Sequence, residues 1–120
     1  MSAANLALRF ALELAALAGW AALAWSMAGG VWRYVCAAIA VLAVAALWGV
    51  FAVPGDPSRS GNAPVPVPGA VRLALELVIL LGGAWAWSRT GQSWVALGLG
   101  VLVVLHYLAS MDRITWLLRQ

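Results

Sequence analysis

Apolar residues fill four long stretches of the chain, which run over about 6–27, 31–53, 70–88 and 93–112. None of the four shows the period-two alternation of polar and apolar residues that is typical of barrel strands. A helix needs about 20 apolar residues to cross the hydrocarbon core of a bilayer. The pattern therefore predicts an all-α polytopic membrane protein with four transmembrane helices.

Short connections join the stretches in pairs. The first two are separated by "AGG" and the last two by "RTGQS", and turns this short place neighbouring helices antiparallel. Between the pairs, residues 54–69 hold all five prolines of the chain, and this composition favours a polar, partly polyproline linker. The sequence thus predicts a four-helix bundle of two antiparallel hairpins, which forms a single membrane domain over residues 1–120.

Composition strengthens the membrane prediction. Hydrophobic residues make up 65% of the chain and charged residues 9%, whereas soluble domains have roughly 45–50% and 25%. A soluble domain of this length could not bury so much apolar surface, so the lipid bilayer is the first predicted partner. The net charge is +3 without a basic run, and nucleic acid is therefore not expected as a partner. The first apolar stretch is too long for a signal peptide and lacks a preceding basic region, so we expect it to be retained.

Arginine and tryptophan positions indicate the orientation. In the predicted topology both termini and the linker share one side, which carries five of the seven arginines, and this asymmetry predicts that this side is cytoplasmic. These five are Arg9, Arg59, Arg72, Arg113 and Arg119. Tryptophan favours membrane interfaces because its ring is apolar and its N–H seeks a polar partner. The predicted interfacial tryptophans are Trp25, Trp32, Trp85, Trp87 and Trp94 at the outer ends of the helices and Trp116 near the inner end.

The first and third stretches share a motif. Each contains Arg-x-x-x-Glu-Leu, followed six residues after the Glu by a Gly. A duplicated hairpin would place the two copies parallel, about an axis along the membrane normal. Whether the likeness is a true duplication stays open, because Ala- and Leu-rich helices resemble each other by composition alone. The matching positions are Arg9 and Arg72, Glu13 and Glu76, and Gly19 and Gly82.

The two motifs predict an ionic cluster inside the bundle, because residues four apart lie on one face of a helix. Counting residues from the helix ends places His106 in the same layer. The cluster consists of Arg9, Glu13, Arg72, Glu76 and His106. In one interpretation each Glu pairs with Arg and locks the helices together. In the other, two close carboxylates form a proton- or cation-loading site. The structural interpretation is favoured, since each Glu already has a counter-ion. Asp112 and Arg113 lie outside this cluster in our prediction and are expected at the solvated end of the fourth helix.

The sequence shows no catalytic constellation. It contains no Gly-rich phosphate loop, no nucleophile elbow and no Cys/His spacing suited to a metal. We therefore predict that the protein is not an enzyme, with no catalytic residues, no metal and no cofactor.

Four segments carry a resemblance to a known family. "NLALRFALELAAL", "LWGVFAVPG", "GAVRLALELVIL" and "LHYLASMDRITWLL" together resemble the YrdB-like family of small bacterial membrane proteins, over nearly the whole chain. "FAVPG" departs slightly from the Ala-Pro expected there. That family has no assigned function, so the resemblance implies a four-helix protein of the bacterial plasma membrane and supplies no active-site residues.

Two functions follow as expectations. The first is a non-enzymatic scaffold, accessory or partner-binding bundle with a structural Arg/Glu core, in a homo-oligomer or a larger membrane complex. The alternative is a small proton- or cation-coupled transporter or channel, dimeric, that uses Glu13 and Glu76. The chain is similar to the small multidrug resistance transporters in that it has an acidic residue in the first of four spans. However, those need an unpaired carboxylate, and Arg9 precedes Glu13 by one helical turn.

Overall fold

The computed structural model describes residues 2–59 and 62–120, which form five helices and one pair of very short strands. In chain order these are α1 (Ala3–Ser26), α2 (Trp32–Val50), β1 (Phe51–Ala52), β2 (Val65–Pro66), α3 (Gly69–Arg89), α4 (Ser93–Ala109) and α5 (Met111–Leu118).

The ends of the helices follow from local chemistry. Ser2 caps α1, because its hydroxyl accepts a hydrogen bond from the backbone N–H of Asn5 at 3.1 Å. Gly30 and Gly91 lie in the two tight turns with φ of 58° and 84°. This left-handed conformation is costly for residues with a Cβ, so glycine is what allows each chain reversal.

Three helices, α1, α2 and α3, are each long and apolar enough to cross a membrane. α4 and α5 qualify as a fourth span only if they are counted together, and they meet at an angle of 72°. The all-α prediction with long apolar helices is therefore confirmed, and the fourth apolar segment is bent. The bend lies at Ser110, whose φ of −117° and ψ of 38° interrupt the helix, and no proline marks it in the sequence.

α1 lies between α2 and α3, while α4 packs on α3 and also contacts α1. α1 and α3 run in the same direction, as expected for hairpins in sequence. They approach closely where Gly83 meets Ala16: a Cβ built on Gly83 would lie 2.6 Å from the Ala16 Cα. The buried apolar core is formed by α1, α3 and α4 and consists of Leu12, Ala16, Leu80, Ala84, Leu99, Val103 and Tyr107.

α2 is peripheral. None of its residues, all of which the structure describes, is buried. It packs along α1 and makes little contact with α3, so a furrow remains between α2 and α3 on the surface of α1.

The Pro-rich linker is partly fixed to the bundle. β1 and β2 pair in parallel, with Phe51 opposite Val65 and Ala52 opposite Pro66. The backbone N–H of Val67 also donates to the Ala52 carbonyl at 2.9 Å. This pairing was not predicted from the sequence, and it folds the loop that contains Asp56 back over the end of the bundle.

Candidate functional site

A single carboxylate, that of Glu76 on α3, lies at the centre of the polar residues in the bundle. Its side chain is fully buried. Oε1 accepts hydrogen bonds from Arg9 Nη2 and from Arg113 Nη2 at 2.6 Å, and Arg72 Nε lies 3.6 Å from the same oxygen. Oε2 accepts a hydrogen bond from the Tyr107 hydroxyl at 3.4 Å. Both oxygens of Glu76 are thus engaged by groups from four different helices.

Arg113 on α5 extends the cluster to the loop after α2. Its Nη1 and Nη2 donate to Asp56 Oδ1 and Oδ2 at 2.7 and 3.0 Å, a two-point geometry that suits guanidinium and carboxylate. The backbone N–H and the hydroxyl of Ser58 donate to Asp56 Oδ1 at 2.9 and 2.8 Å. Burial raises the pKa of Asp56, but the hydrogen bonds from Arg113 and Ser58 outweigh burial and lower this pKa to about 2.

The end of α2 is held by Arg72. Its Nη1 donates to the backbone carbonyls of Trp48 and Phe51 at 2.5 and 2.7 Å, and the last carbonyls of a helix have no partner within the helix. The Trp48 ring lies 4.8 Å from the Arg72 guanidinium carbon and 5.1 Å from that of Arg9. Both distances allow cation–π attraction, so Trp48 attaches α2 to the cluster.

The two matching Arg/Glu motifs have different environments. Glu13 accepts one hydrogen bond, from Arg9 Nε at 3.3 Å, and its side chain is 23% exposed. Its counterpart Glu76 is fully buried among three arginines. Both motifs therefore contribute to one cluster. Glu76 is saturated, in the sense that both of its oxygens have partners, whereas Glu13 lies at the edge of the cluster.

His106 lies beside the cluster and is fully buried. Its ring packs edge-on against Tyr107, with the ring centroids 5.2 Å apart, and Tyr107 in turn contacts Glu76. Neither ring nitrogen has a hydrogen-bond partner within residues 2–59 and 62–120. The structure thus connects His106 to the ionic residues through Tyr107, which contacts both its ring and the Glu76 carboxylate.

The charges of the cluster cancel. Three guanidiniums face three carboxylates, and buried charges are tolerated when they are paired in this way. The six residues are Arg9, Arg72, Arg113, Glu13, Asp56 and Glu76. In the described part of the chain, no group of three or more His, Cys, Asp or Glu side chains is arranged to hold a metal ion.

Four residues of this site were missed by the sequence analysis: Asp56, Arg113, Tyr107 and Trp48. The expectation that Arg113 is solvated is wrong, since it is only 4% exposed; Asp112 beside it is exposed. The bend at Ser110 redirects α5, and this turns Arg113 toward Asp56 and Glu76. The sequence did contain a signal for the role of Asp56. The chain has only four acidic residues, and each of them is expected to pair with an arginine.

The predicted interfacial tryptophans occupy two kinds of position. Trp25, Trp32, Trp85 and Trp94 are exposed. Trp87 is half-buried between helices, where its Nε1 donates to the Ala15 carbonyl at 2.9 Å, and Trp116 on α5 is also half-buried. Their location at a membrane interface stays a prediction.

Comparison with known proteins identifies the family. The family model described as "Protein of unknown function (DUF2568)" matches residues 7–104. The chain belongs to the DUF2568 family. "Uncharacterized protein YrdB" from Bacillus subtilis (strain 168) is 42% identical over 116 residues, which cover 97% of this chain and 94% of that protein. The resemblance to the YrdB-like family is thereby confirmed, and no solved structure matches the chain.

The DUF2568 match covers most of the ionic cluster and stops before its last member. Arg9, Glu13, Asp56, Arg72 and Glu76 lie within residues 7–104, whereas Arg113 lies beyond them. The bundle of α1 to α3 and the loop with Asp56 thus belong to the family region, and α5 follows it.

Proposed function

We propose that this DUF2568 protein is a non-enzymatic integral protein of the bacterial plasma membrane, a scaffold or accessory bundle whose ionic cluster fixes the packing of its helices. Both termini and the loop over residues 54–69 lie on the cytoplasmic side in this proposal. The observation that carries it is the saturation of Glu76, whose two oxygens already bind three arginines and Tyr107.

The surface of the bundle supports a membrane location. Large apolar side chains are exposed along α2 and α4, among them Ile39, Leu42, Leu97 and Leu105. Continuous apolar surface of this kind marks a membrane or protein interface and not a water-exposed face. Five of the seven arginines belong to the end that carries the termini and the loop, which supports a cytoplasmic placement of that end.

The saturation of Glu76 argues for a structural role. A carboxylate that loads a proton or a cation must be able to release its partners at low cost. Removing one partner from a buried ionic network instead leaves uncompensated charge and costs about 3–5 kcal/mol. Glu76 is therefore suited to holding α1, α3 and α5 together and not to exchanging ligands.

One observation favours the alternative of a proton- or cation-coupled transporter. Glu13 has a single hydrogen-bond partner and is 23% exposed, so it is the carboxylate of the cluster that could exchange a ligand. In that alternative Glu13 carries the transported ion, and Glu76 only positions Arg9.

The test is a tryptophan-fluorescence titration of the protein in lipid nanodiscs, from about pH 4 to about pH 10. Trp48 reports on the cluster because its ring lies under Arg9 and Arg72. We expect a flat curve for wild type and for Glu13→Gln, and a lower unfolding temperature for Glu76→Gln. A wild-type transition between about pH 5.5 and 8.5 that disappears in Glu13→Gln would contradict the structural proposal and favour transport.

The partners of the bundle follow from its exposed faces. α2 contributes no buried residue and packs mainly on α1, so its outer face is available to lipid or to another transmembrane helix. Membership of a homo-oligomer or of a larger membrane complex stays a prediction.

A further inference from the structure

Two cavities meet at the edge of the ionic cluster. The first has a volume of about 360 Å³ and a polar lining made by Arg9, Glu13, Trp48, Gly49, Ser58, Arg59 and Arg72. The second has a volume of about 220 Å³ and adds Leu17, Val44, Ala45 and Ile79 to three of the same residues. Glu13, Trp48 and Gly49 line both cavities, so the two adjoin along these residues. We call this boundary the neck and the two cavities the polar and apolar compartments of the cleft. The polar compartment has the size of common ligand sites.

The polar compartment has an excess of positive charge. Arg9 and Arg72 are balanced within the neutral ionic cluster, but Arg59 is additional. Its Nη1 and Nη2 donate to the carbonyls of Gly49 and Asn62 at 3.2 and 2.9 Å, and it forms no salt bridge with the described residues. The compartment thus carries one positive charge that a single negative charge would complement.

Three arginine side chains that line this compartment have buried N–H groups without a full hydrogen bond. Arg9 and Arg72 are 4% and 3% exposed. Arg9 Nη1 and Arg59 Nε have no hydrogen-bond partner in the described part of the chain, and Arg72 Nε has only its 3.6 Å contact with Glu76. Buried donors without partners are costly and rare in folded proteins. A ligand with several acceptor oxygens, such as a phosphodiester, supplies what these three guanidiniums lack.

The apolar compartment runs from the neck into the furrow between α2 and α3. Leu17, Val44, Ala45 and Ile79 line it, and it exists because α2 packs on α1 with little contact to α3. Its volume suits part of one hydrocarbon chain. The ligand chemistry is therefore that of an amphiphile, with an anionic head and an aliphatic tail on the two sides of the neck.

We propose that the cleft binds one anionic phospholipid, with its phosphodiester among Arg9, Arg59 and Arg72 and one acyl chain in the apolar compartment. Basic pockets between transmembrane helices on the cytoplasmic side are known to suit phospholipid headgroups. This inference rests on the proposed membrane location with the loop end cytoplasmic. It adds to that proposal a specific lipid site between α1, α2 and the loop.

The experiment is native mass spectrometry of the full chain in an uncharged detergent. Phosphatidylglycerol, phosphatidylethanolamine and phosphatidylcholine of equal chain length are titrated in turn, and the affinity for the first bound lipid is measured. We expect one phosphatidylglycerol to bind about tenfold more tightly than either of the other two lipids. Equal affinity for all three would overturn the proposal, because it indicates unselective lipid around the bundle.

Two variant pairs locate the site. Arg59→Gln removes the extra charge without touching the Glu76 network, and we expect it to weaken phosphatidylglycerol binding about fivefold. Arg119→Gln, which removes an exposed charge at the same end of the bundle, should change binding less than twofold.

A Cβ on either Gly49 or Gly98 would meet no atom within 4 Å. Gly49 lines both compartments, so Gly49→Leu should narrow the neck and weaken binding about tenfold, whereas Gly98→Leu on α4 should not. Equal effects within either pair would overturn the proposed site.

A third arm separates a lipid from a soluble anion. Inorganic phosphate and glycerophosphoglycerol, which lack acyl chains, are added as competitors at millimolar concentration. We expect neither to displace the lipid. Displacement by either at that concentration would overturn the amphiphile proposal and assign the site to a soluble anion. None of these outcomes depends on the tryptophan-fluorescence titration of wild type and Glu13→Gln, so a failure of the lipid site is distinguishable from a failure of the structural proposal.

Discussion

Arg113 and Asp56 are 57 positions apart in the sequence and form a two-point ion pair with N–O distances of 2.7 and 3.0 Å. The same guanidinium also binds Glu76 at 2.6 Å. Arg113 thus connects the loop after α2, the helix α5 and the buried centre of α3. Through this one side chain, both the loop and α5 are held to the buried carboxylate of Glu76.

Replacing Asp56 is expected to loosen this connection. Asp56→Asn keeps the shape of the side chain but removes the charge that Arg113 binds at two points. We expect a loss of about 1.5–3 kcal/mol in the free energy of unfolding, because hydrogen bonds to charged groups contribute about that much. SDS-induced unfolding in mixed micelles measures it. Ser58→Ala is the matched control, since it removes only one donor to Asp56 and should cost less; an equal loss in both variants would contradict the role of the ion pair.

The same pair predicts a pH dependence. The pKa of Asp56 is lowered from 3.8 to about 2 in the folded protein, so the folded state binds the proton less well than the unfolded state. Its contribution to stability is therefore fully present above about pH 4 and is lost as the pH falls toward 2. We expect the difference in unfolding temperature between wild type and Asp56→Asn to shrink between about pH 4 and 2. A difference that stays constant over this range would contradict the assignment.

The sequence was sufficient to predict the long helices and four of the six charged residues of the cluster. Long apolar stretches predict long apolar helices with little ambiguity, and the spacing of Arg9 and Glu13 fixes which side chains share a face. Asp56 and Arg113 could not be paired in this way, because their contact depends on the bend at Ser110 and on the β1–β2 pairing. No proline marks the bend at Ser110, and the Pro-rich composition of the linker did not indicate the β1–β2 pairing.

The different roles of the two motifs were also beyond the sequence. Glu13 and Glu76 have the same local pattern, and only the direction of α5 decides that Arg113 reaches Glu76 and not Glu13. His106 was predicted in the same layer as both glutamates, but the contact of its neighbour Tyr107 with Glu76 depends on how α4 packs on α3. The periodicity of a sequence shows which residues share one face of a helix. Which other helix packs against that face depends on the fold.

Glu76 and Arg9 are expected to be energetically coupled. Glu76→Gln leaves three guanidiniums around a neutral side chain and should cost about 3–5 kcal/mol in the free energy of unfolding. Asp56 and Glu13 then balance only two of the three guanidiniums, and Arg9→Met in that background restores neutrality, so the double variant should lose less than the sum of the single variants, with a coupling of at least about 1 kcal/mol. A double-mutant cycle by SDS-induced unfolding measures the coupling.

Glu13→Gln is the control for that cycle. Glu13 is 23% exposed and has one partner at 3.3 Å, and ion pairs of this kind contribute roughly 0–1 kcal/mol. A loss as large as that of Glu76→Gln would show that the two motifs are equivalent, which contradicts the central position of Glu76.

The approach of α1 and α3 provides the last prediction. An added Cβ at Gly83 would lie 2.6 Å from both the Cα and the Cβ of Ala16, so the two helices would have to move apart. We expect Gly83→Ala to cost about 1–3 kcal/mol, the usual cost of overpacking a core. Gly98→Ala on α4 has no atom within 4 Å of the added group, and its effect on the free energy of unfolding should stay within about 0.5 kcal/mol. The Arg9–Glu76 contact joins the same two helices, and the Trp48 ring lies against Arg9, so Gly83→Ala should also change Trp48 fluorescence. An unchanged spectrum together with unchanged stability would contradict the close packing of α1 and α3.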